Sequence, residues 1–170
     1  DLSHNDGGFD SQTFAGVAKA CPHLKVLDLT NCYNLDDEAI AAVARYCSQL
    51  ESLEIKDLGR ITDAAMKTLA QECAQLRRLD VSWCVKLTDA TIQSLAQSCL
   101  QLDCLMAIHC VDMTRQAFRT LKVKCLRLSF LRTDFLDIEI CTNADRAPLP
   151  EIHQWTQLPL RLRRHHRKLL

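Results

Sequence analysis

Three groups of residues have the types and spacing to do chemistry. The first is the ten cysteines among 170 residues, which as thiolates act as nucleophiles, redox centres or metal ligands. The second is a row of acids, Asp28, Glu54 and Asp80, set at one constant interval. The third centres on Trp83 in the stretch LDVSWC; His109 holds the matching position one interval later, beside Met106 and Ile108. Nucleophilic catalysis finds no support: His109 has no Ser or Cys nucleophile in a strained turn, and the four glycines make no phosphate-cradling loop. No C-x-x-C or Cys/His cluster has zinc-ligand spacing. The sequence reads as a non-enzyme with no catalytic residue, metal or cofactor.

The interval explains the cysteines. Cys21, Cys47, Cys73, Cys99 and Cys125 lie 26 residues apart, as do Leu24, Leu50, Leu76, Leu102 and Leu128. Leu27, Leu53, Leu79, Leu105 and Leu131 keep the same step. So does the slot of Cys32, Leu58, Cys84, Cys110 and Leu136, where Leu58 shows that the position requires volume and not a thiolate. Eight cysteines therefore fall in two periodic slots predicted to be buried, where a small thiol can donate a weak hydrogen bond to a turn carbonyl. Cys104 and Cys141 lie outside the slots and are predicted to be the reactive thiols.

Each interval predicts a strand and a helix. L-x-x-L-x-L alternates with period two, a short strand with one buried face. Thr62-Asp63, Thr88-Asp89 and Asp36-Asp37 then supply oxygens for the free N–H groups of a helix's first turn, whose dipole also favours acids. Ala65, Met66, Leu69, Ala70 and Cys73 make one apolar helical stripe. One such unit cannot bury its own apolar face, so the units must stack into a solenoid. Asp1–Asn5 is predicted to be the end of an earlier strand, with Phe9, Phe14, Val17 and Ala18 in that unit's helix. A chain beginning with Asp1 in mid-repeat predicts further repeats upstream. The domain is predicted to span residues 1–140, with an irregular last strand over 134–141.

The pattern C-x-x-L-x-x-L-x-L-x-x-C-x-x-L-[TD]-D-x-A-[IM]-x-x-[LV]-A resembles the cysteine-containing leucine-rich repeats of F-box/LRR proteins. The resemblance covers roughly residues 1–136. It implies an α/β leucine-rich-repeat solenoid, a right-handed horseshoe with parallel strands on the concave face and helices on the convex face. It also implies the substrate-recognition part of an SCF-type (cullin-RING) ubiquitin ligase receptor, carrying a protein substrate on the concave face. Contact with the cullin-RING core would come from an F-box absent from these residues. A stand-alone LRR adaptor without an F-box is the alternative.

On the strands, the residues between the buried leucines form rows across neighbouring repeats. One row is Asp28, Glu54, Asp80, Met106 and Arg132; a second holds Lys56, Ser82 and Ile108; Arg78 belongs to a third. The turn row is Asn31, Asp57, Trp83, His109 and Phe135. Acids about 4.8 Å apart repel one another unless a cation bridges them. That cation comes either from a basic segment of a partner protein or from Lys56 and Arg78. Trp83 either anchors a partner, beside exposed Met106 and Ile108, or covers the turn of its own repeat.

Lys+Arg and Asp+Glu are both 21, so net charge selects no partner. The balance conceals an excess of basic residues over 151–170: Arg161, Arg163, Arg164, Arg167 and Lys168 against Glu151 alone. Residues 141–170 are predicted to be an irregular or disordered basic tail, with nucleic-acid or membrane-surface binding the lesser reading. No apolar run reaches the roughly 20 residues that cross a bilayer. Diluted cysteines and the absence of an N-x-S/T sequon predict a reduced cytoplasmic or nuclear protein.

Overall fold

A computed structural model describes residues 10–134 and the backbone of 136–140. Asp1–Asn5, Phe9, Phe135, Cys141 and the basic tail lie outside the described residues.

The sequence period is the period of the structure. Five strands, β1 (Val26–Asp28), β2 (Ser52–Glu54), β3 (Arg78–Asp80), β4 (Cys104–Ala107) and β5 (Phe130–Thr133), pair in parallel and in chain order. Leu27 lies opposite Leu53, Leu79, Leu105 and Leu131 in turn. Between them run ten-residue helices: α1 (Ser11–Ala20), α2 (Asp37–Tyr46), α3 (Asp63–Glu72), α4 (Asp89–Ser98) and α5 (Arg115–Lys124). Asp10, Asp36, Thr62, Thr88 and Thr114 cap their N-termini, each side chain accepting a first-turn N–H. The 26-residue cysteines stand at the C-caps.

The apolar faces of strands and helices meet in one core from Phe14 to Leu131. Adjacent strands sit about 4.8 Å apart, whereas packed helices need 8–10 Å. Stacking both in one column bends it, with the sheet on the inner, concave side.

Two polar ladders tie successive coils. Thiols donate to carbonyls one coil back: Cys84 Sγ to Ile55 O at 3.1 Å, Cys110 Sγ to Val81 O at 3.2 Å, and Cys125 Sγ to Cys99 O at 3.5 Å. Aspartates at the first helical position reach one coil forward. Asp63 accepts the backbone N–H and the hydroxyl of Thr88 at 3.0 and 2.7 Å, and both donors of Thr91. Asp37 serves Thr62 and Asp89 serves Thr114 in the same way. The second acid of Asp36-Asp37 is thus more than a response to its own helix dipole: it fastens the next coil.

That ladder stops at α5. The slot of Asp37, Asp63 and Asp89 holds Arg115, and the buried slot of Ala44, Ala70 and Ala96 holds Lys122. Arg115 has no oxygen to accept the hydrogen bonds that Asp37, Asp63 and Asp89 accept. The chain instead turns back as β6 (Leu136–Ile140), antiparallel to β5. The irregular last strand predicted over 134–141 is this reversal.

Candidate protein-binding face

The strands expose one face to the concave side, where register assembles the predicted rows. Asp28 pairs in register with Glu54, and Glu54 with Asp80, so three carboxylates occupy consecutive strands in one row. Asp28 and Asp80 each accept the N–H of the residue two positions on, Thr30 at 2.9 Å and Ser82 at 2.8 Å. Burial, then the Asp28 and Asp80 charges, push the Glu54 carboxyl up to about 7, outweighing the opposing pull of Lys56. Burial raises Asp80 as well, against the stabilising Ser82 hydrogen bonds and Lys56.

At the outer edge of the strands the same chain pairs its charges. The slot of residues 25, 51, 77 and 103 alternates in sign, with Lys25 Nζ on Glu51 at 2.8 Å and Arg77 Nη2 on Asp103 at 2.7 Å. Like charges at the acidic row are therefore local to that row.

The turn row has a backbone reason for its residue types. Asn31, Asp57, Trp83 and His109 all have left-handed backbone, with φ of 62°, 62°, 67° and 57°. The turn lets Asn31, Asp57 and Trp83 donate their N–H groups to Lys56, Ser82 and Ile108 of the next coil, extending the ladder beyond the strands. His109 N–H donates to Asp134 Oδ2 at 2.7 Å. Asn and Asp tolerate this conformation; a bulky residue does so at a cost of about 1–2 kcal/mol. Trp83 therefore sits where its backbone is unfavourable. Its ring lies over His109, with centroids 3.9 Å apart and planes at 39°, and 37% of the residue stays exposed. Tyr33, exposed on the same side, donates to Asp57 Oδ2 at 3.3 Å.

The predicted site residues separate by depth. Trp83 and Arg132 are exposed; Asp28, Asn31, Glu54, Lys56, Asp57, Arg78, Ile108 and His109 are half-buried. Met106 corrects the expectation of an exposed apolar side chain: it is 9% exposed, because the face is concave there and neighbouring strands crowd it. Asp80, at 6%, and Ser82, at 1%, are likewise floor, not contact surface. Ser82 accepts the Ile108 N–H at 3.2 Å and so positions that strand end. A shallow depression is lined by Ser52, Glu54, Arg78, Asp80, Cys104 and Met106.

Two cysteine expectations change. Cys104 is no reactive thiol: burial, followed by the Asp80 charge, pushes it up to about 12. Cys21, predicted to be buried with its slot-mates, is exposed. Each later slot-mate packs on the coil before it, as Cys47 does on the Ala18 and Cys21 carbonyls, and no described coil precedes Cys21.

The family model for Leucine Rich repeat matches residues 20–44, the span from the end of α1 into α2. A chain in the crystal structure of the Rad7 and Elc1 complex in yeast has the same fold, with a TM-score of 0.57 at 21% identity. The fold is a leucine-rich-repeat solenoid. The similarity covers 64% of this chain and 27% of that one, so this solenoid spans little more than a quarter of the neighbour's length. No curated protein sequence matches the chain. Among the described residues no helix of the solenoid is long and apolar enough to cross a membrane.

Sequence reasoning missed the left-handed turn row and Tyr33. Asn31 and Asp57 in successive coils carried the signal for the first, since those two types are enriched in that backbone region. Tyr33 carried none, because its slot continues as Gly59, Val85 and Val111.

Proposed function

We propose that this solenoid is a protein-interaction module, the substrate-recognition part of an SCF-type, cullin-RING ubiquitin ligase receptor. It carries no chemistry itself; it presents a protein substrate while other subunits transfer ubiquitin. The observation that carries the binding role is Trp83, a large aromatic kept partly exposed at a backbone position that disfavours it. Tryptophan anchors at interfaces commonly contribute 2 kcal/mol or more to binding. The turn itself needs no aromatic, since Asn31 and Asp57 make it in the preceding coils.

The ligase assignment rests on the resemblance of the cysteine-slot repeats to those of F-box/LRR proteins. The Rad7–Elc1 structure offers a solenoid of this fold solved together with a second protein. An F-box supplied outside these 170 residues would attach the module to the cullin core, in the cytoplasm or nucleus. Affinity purification of the full-length protein tests this. Recovery of cullin and its adaptor is the expected result; partners recovered without any cullin subunit would make the chain a stand-alone LRR adaptor.

A further inference from the structure

The concave face is polarised across its strands, and the polarity specifies a partner. Coils one to three contribute Asp28, Glu54, Asp57 and Asp80 against Lys56 and Arg78. Coil four contributes Cys104, Met106, Ile108 and His109, with no acid, Lys or Arg on the face. Beside it, Trp83 supplies an indole stacked on His109. The first three coils are therefore short of positive charge, the fourth is apolar and aromatic, and β5 beyond it adds the exposed Arg132 and Asp134.

Resting on the reading that this face binds protein, we propose that its occupant is an extended segment of the partner with a basic side chain three residues from an apolar one. The basic residue sits over Glu54, at the centre of the acidic row, and the apolar residue sits against Trp83 and Ile108. The spacing follows from the sheet. Glu54 on β2 and the β4 coil are two strand steps apart, about 10 Å, and three residues of extended chain cover the same length at about 3.3 Å each.

Three observations support a basic occupant over a neutral one. Glu54 has an acid on each side in register, whereas the Lys25–Glu51 and Arg77–Asp103 slot alternates in sign. Lys56, the cation nearest in sequence, does not offset burial and the two flanking acids, which hold Glu54 up to about 7. A Lys or Arg stem can also lie along the floor of Met106 while its charge stays at the acids.

This arrangement carries a signature that a plain apolar interface lacks. Around Glu54 stand Asp28 of β1, Lys56 beyond β2, Arg78 and Asp80 of β3 and, across the depression, Cys104 of β4. A cation brought into that group favours the ionised carboxylate, so docking expels a proton from Glu54. Affinity then rises as pH climbs through about 7.

The test places the photo-crosslinking residue p-benzoylphenylalanine at Ile108 of the full-length protein in cells, and identifies the crosslinked segment by mass spectrometry. A synthetic peptide of that segment is then titrated at about pH 6 and pH 8. The expected segment has Lys or Arg three residues from an apolar side chain. Its affinity rises several-fold toward the higher pH, stays flat with Glu54→Gln, and falls roughly tenfold when the basic residue becomes Glu. A crosslinked segment with no basic residue there, or an affinity that Glu54→Gln leaves equally pH-dependent, overturns this inference and leaves the protein-binding reading standing. Absence of any protein crosslinked at Ile108 overturns that reading as well.

Discussion

Replacing Glu54 with glutamine should stabilise the solenoid, and only at neutral or higher pH. In the fold the carboxyl ionises at about 7, against 4.5 for the ordinary side chain. Below the lower value the group is neutral in both folded and unfolded chains and costs nothing. As pH rises between the two, the unfolded chain ionises first, so stability falls; above about 7 the full cost is present. Taken at face value the difference is worth about 3 kcal/mol. The side chain retains solvent contact, which screens the repulsion, so about 1–2 kcal/mol is the working figure. Glutamine keeps the shape and removes the charge. Urea unfolding of both proteins, followed by circular dichroism at about pH 5 and pH 8, reads the difference directly. The variant should gain about 1–2 kcal/mol at the higher pH and little at the lower. An equal gain at both pH values, or a loss at pH 8, would refute a Glu54 carboxylate destabilised by burial and its flanking acids.

Removing the forward-reaching acid in Asp63→Ala should destabilise by about 2–4 kcal/mol, because the fully buried Thr91 hydroxyl and the Thr88 N–H lose their acceptor. Burial works against ionisation of Asp63, but the Thr88 and Thr91 hydrogen bonds prevail and hold it below the ordinary 3.8. Its contribution is therefore intact above that value and lost as pH falls below it, so thermal melts of wild type and variant should converge in acid. In a Cys141→Ser background, a thiol reagent such as Ellman's should label Cys21 in the native protein and the other eight described cysteines only on unfolding. Fast labelling of Cys104 would contradict its assignment as a half-buried thiol held protonated. Leu79→Ala should cost about 2–5 kcal/mol in chemical denaturation as a cavity in the core, whereas Trp83→Ala should cost about 1 kcal/mol, the worth of its ring contact.

Most of the fold was legible because its information is periodic. Leu27 to Leu131 predict the register of five strands, and the pairing reproduces it. The site was legible as rows but not as depths. Alternation tells which side of a strand Asp80 and Met106 occupy, yet their exposure depends on how closely neighbouring strands crowd a concave face, a property of the assembled stack. The left-handed turn was concealed because Trp83, a type that seldom adopts it, interrupts the Asn, Asp and His of that slot. The stop of the aspartate ladder stood in the sequence at Arg115, and Lys122 marks it too, where the slots of Asp89 and Ala96 change chemistry; its physical meaning depends on knowing that those slots face the next coil.

The most direct test of the binding role is a side-by-side affinity purification of the full-length protein and its Trp83→Ala variant, with partners quantified by mass spectrometry. Proteins bound through the concave face should fall away in the variant while its melting temperature stays close to wild type and any cullin core is retained. An unchanged set of partners, or a variant that no longer folds, would contradict a tryptophan placed there for recognition.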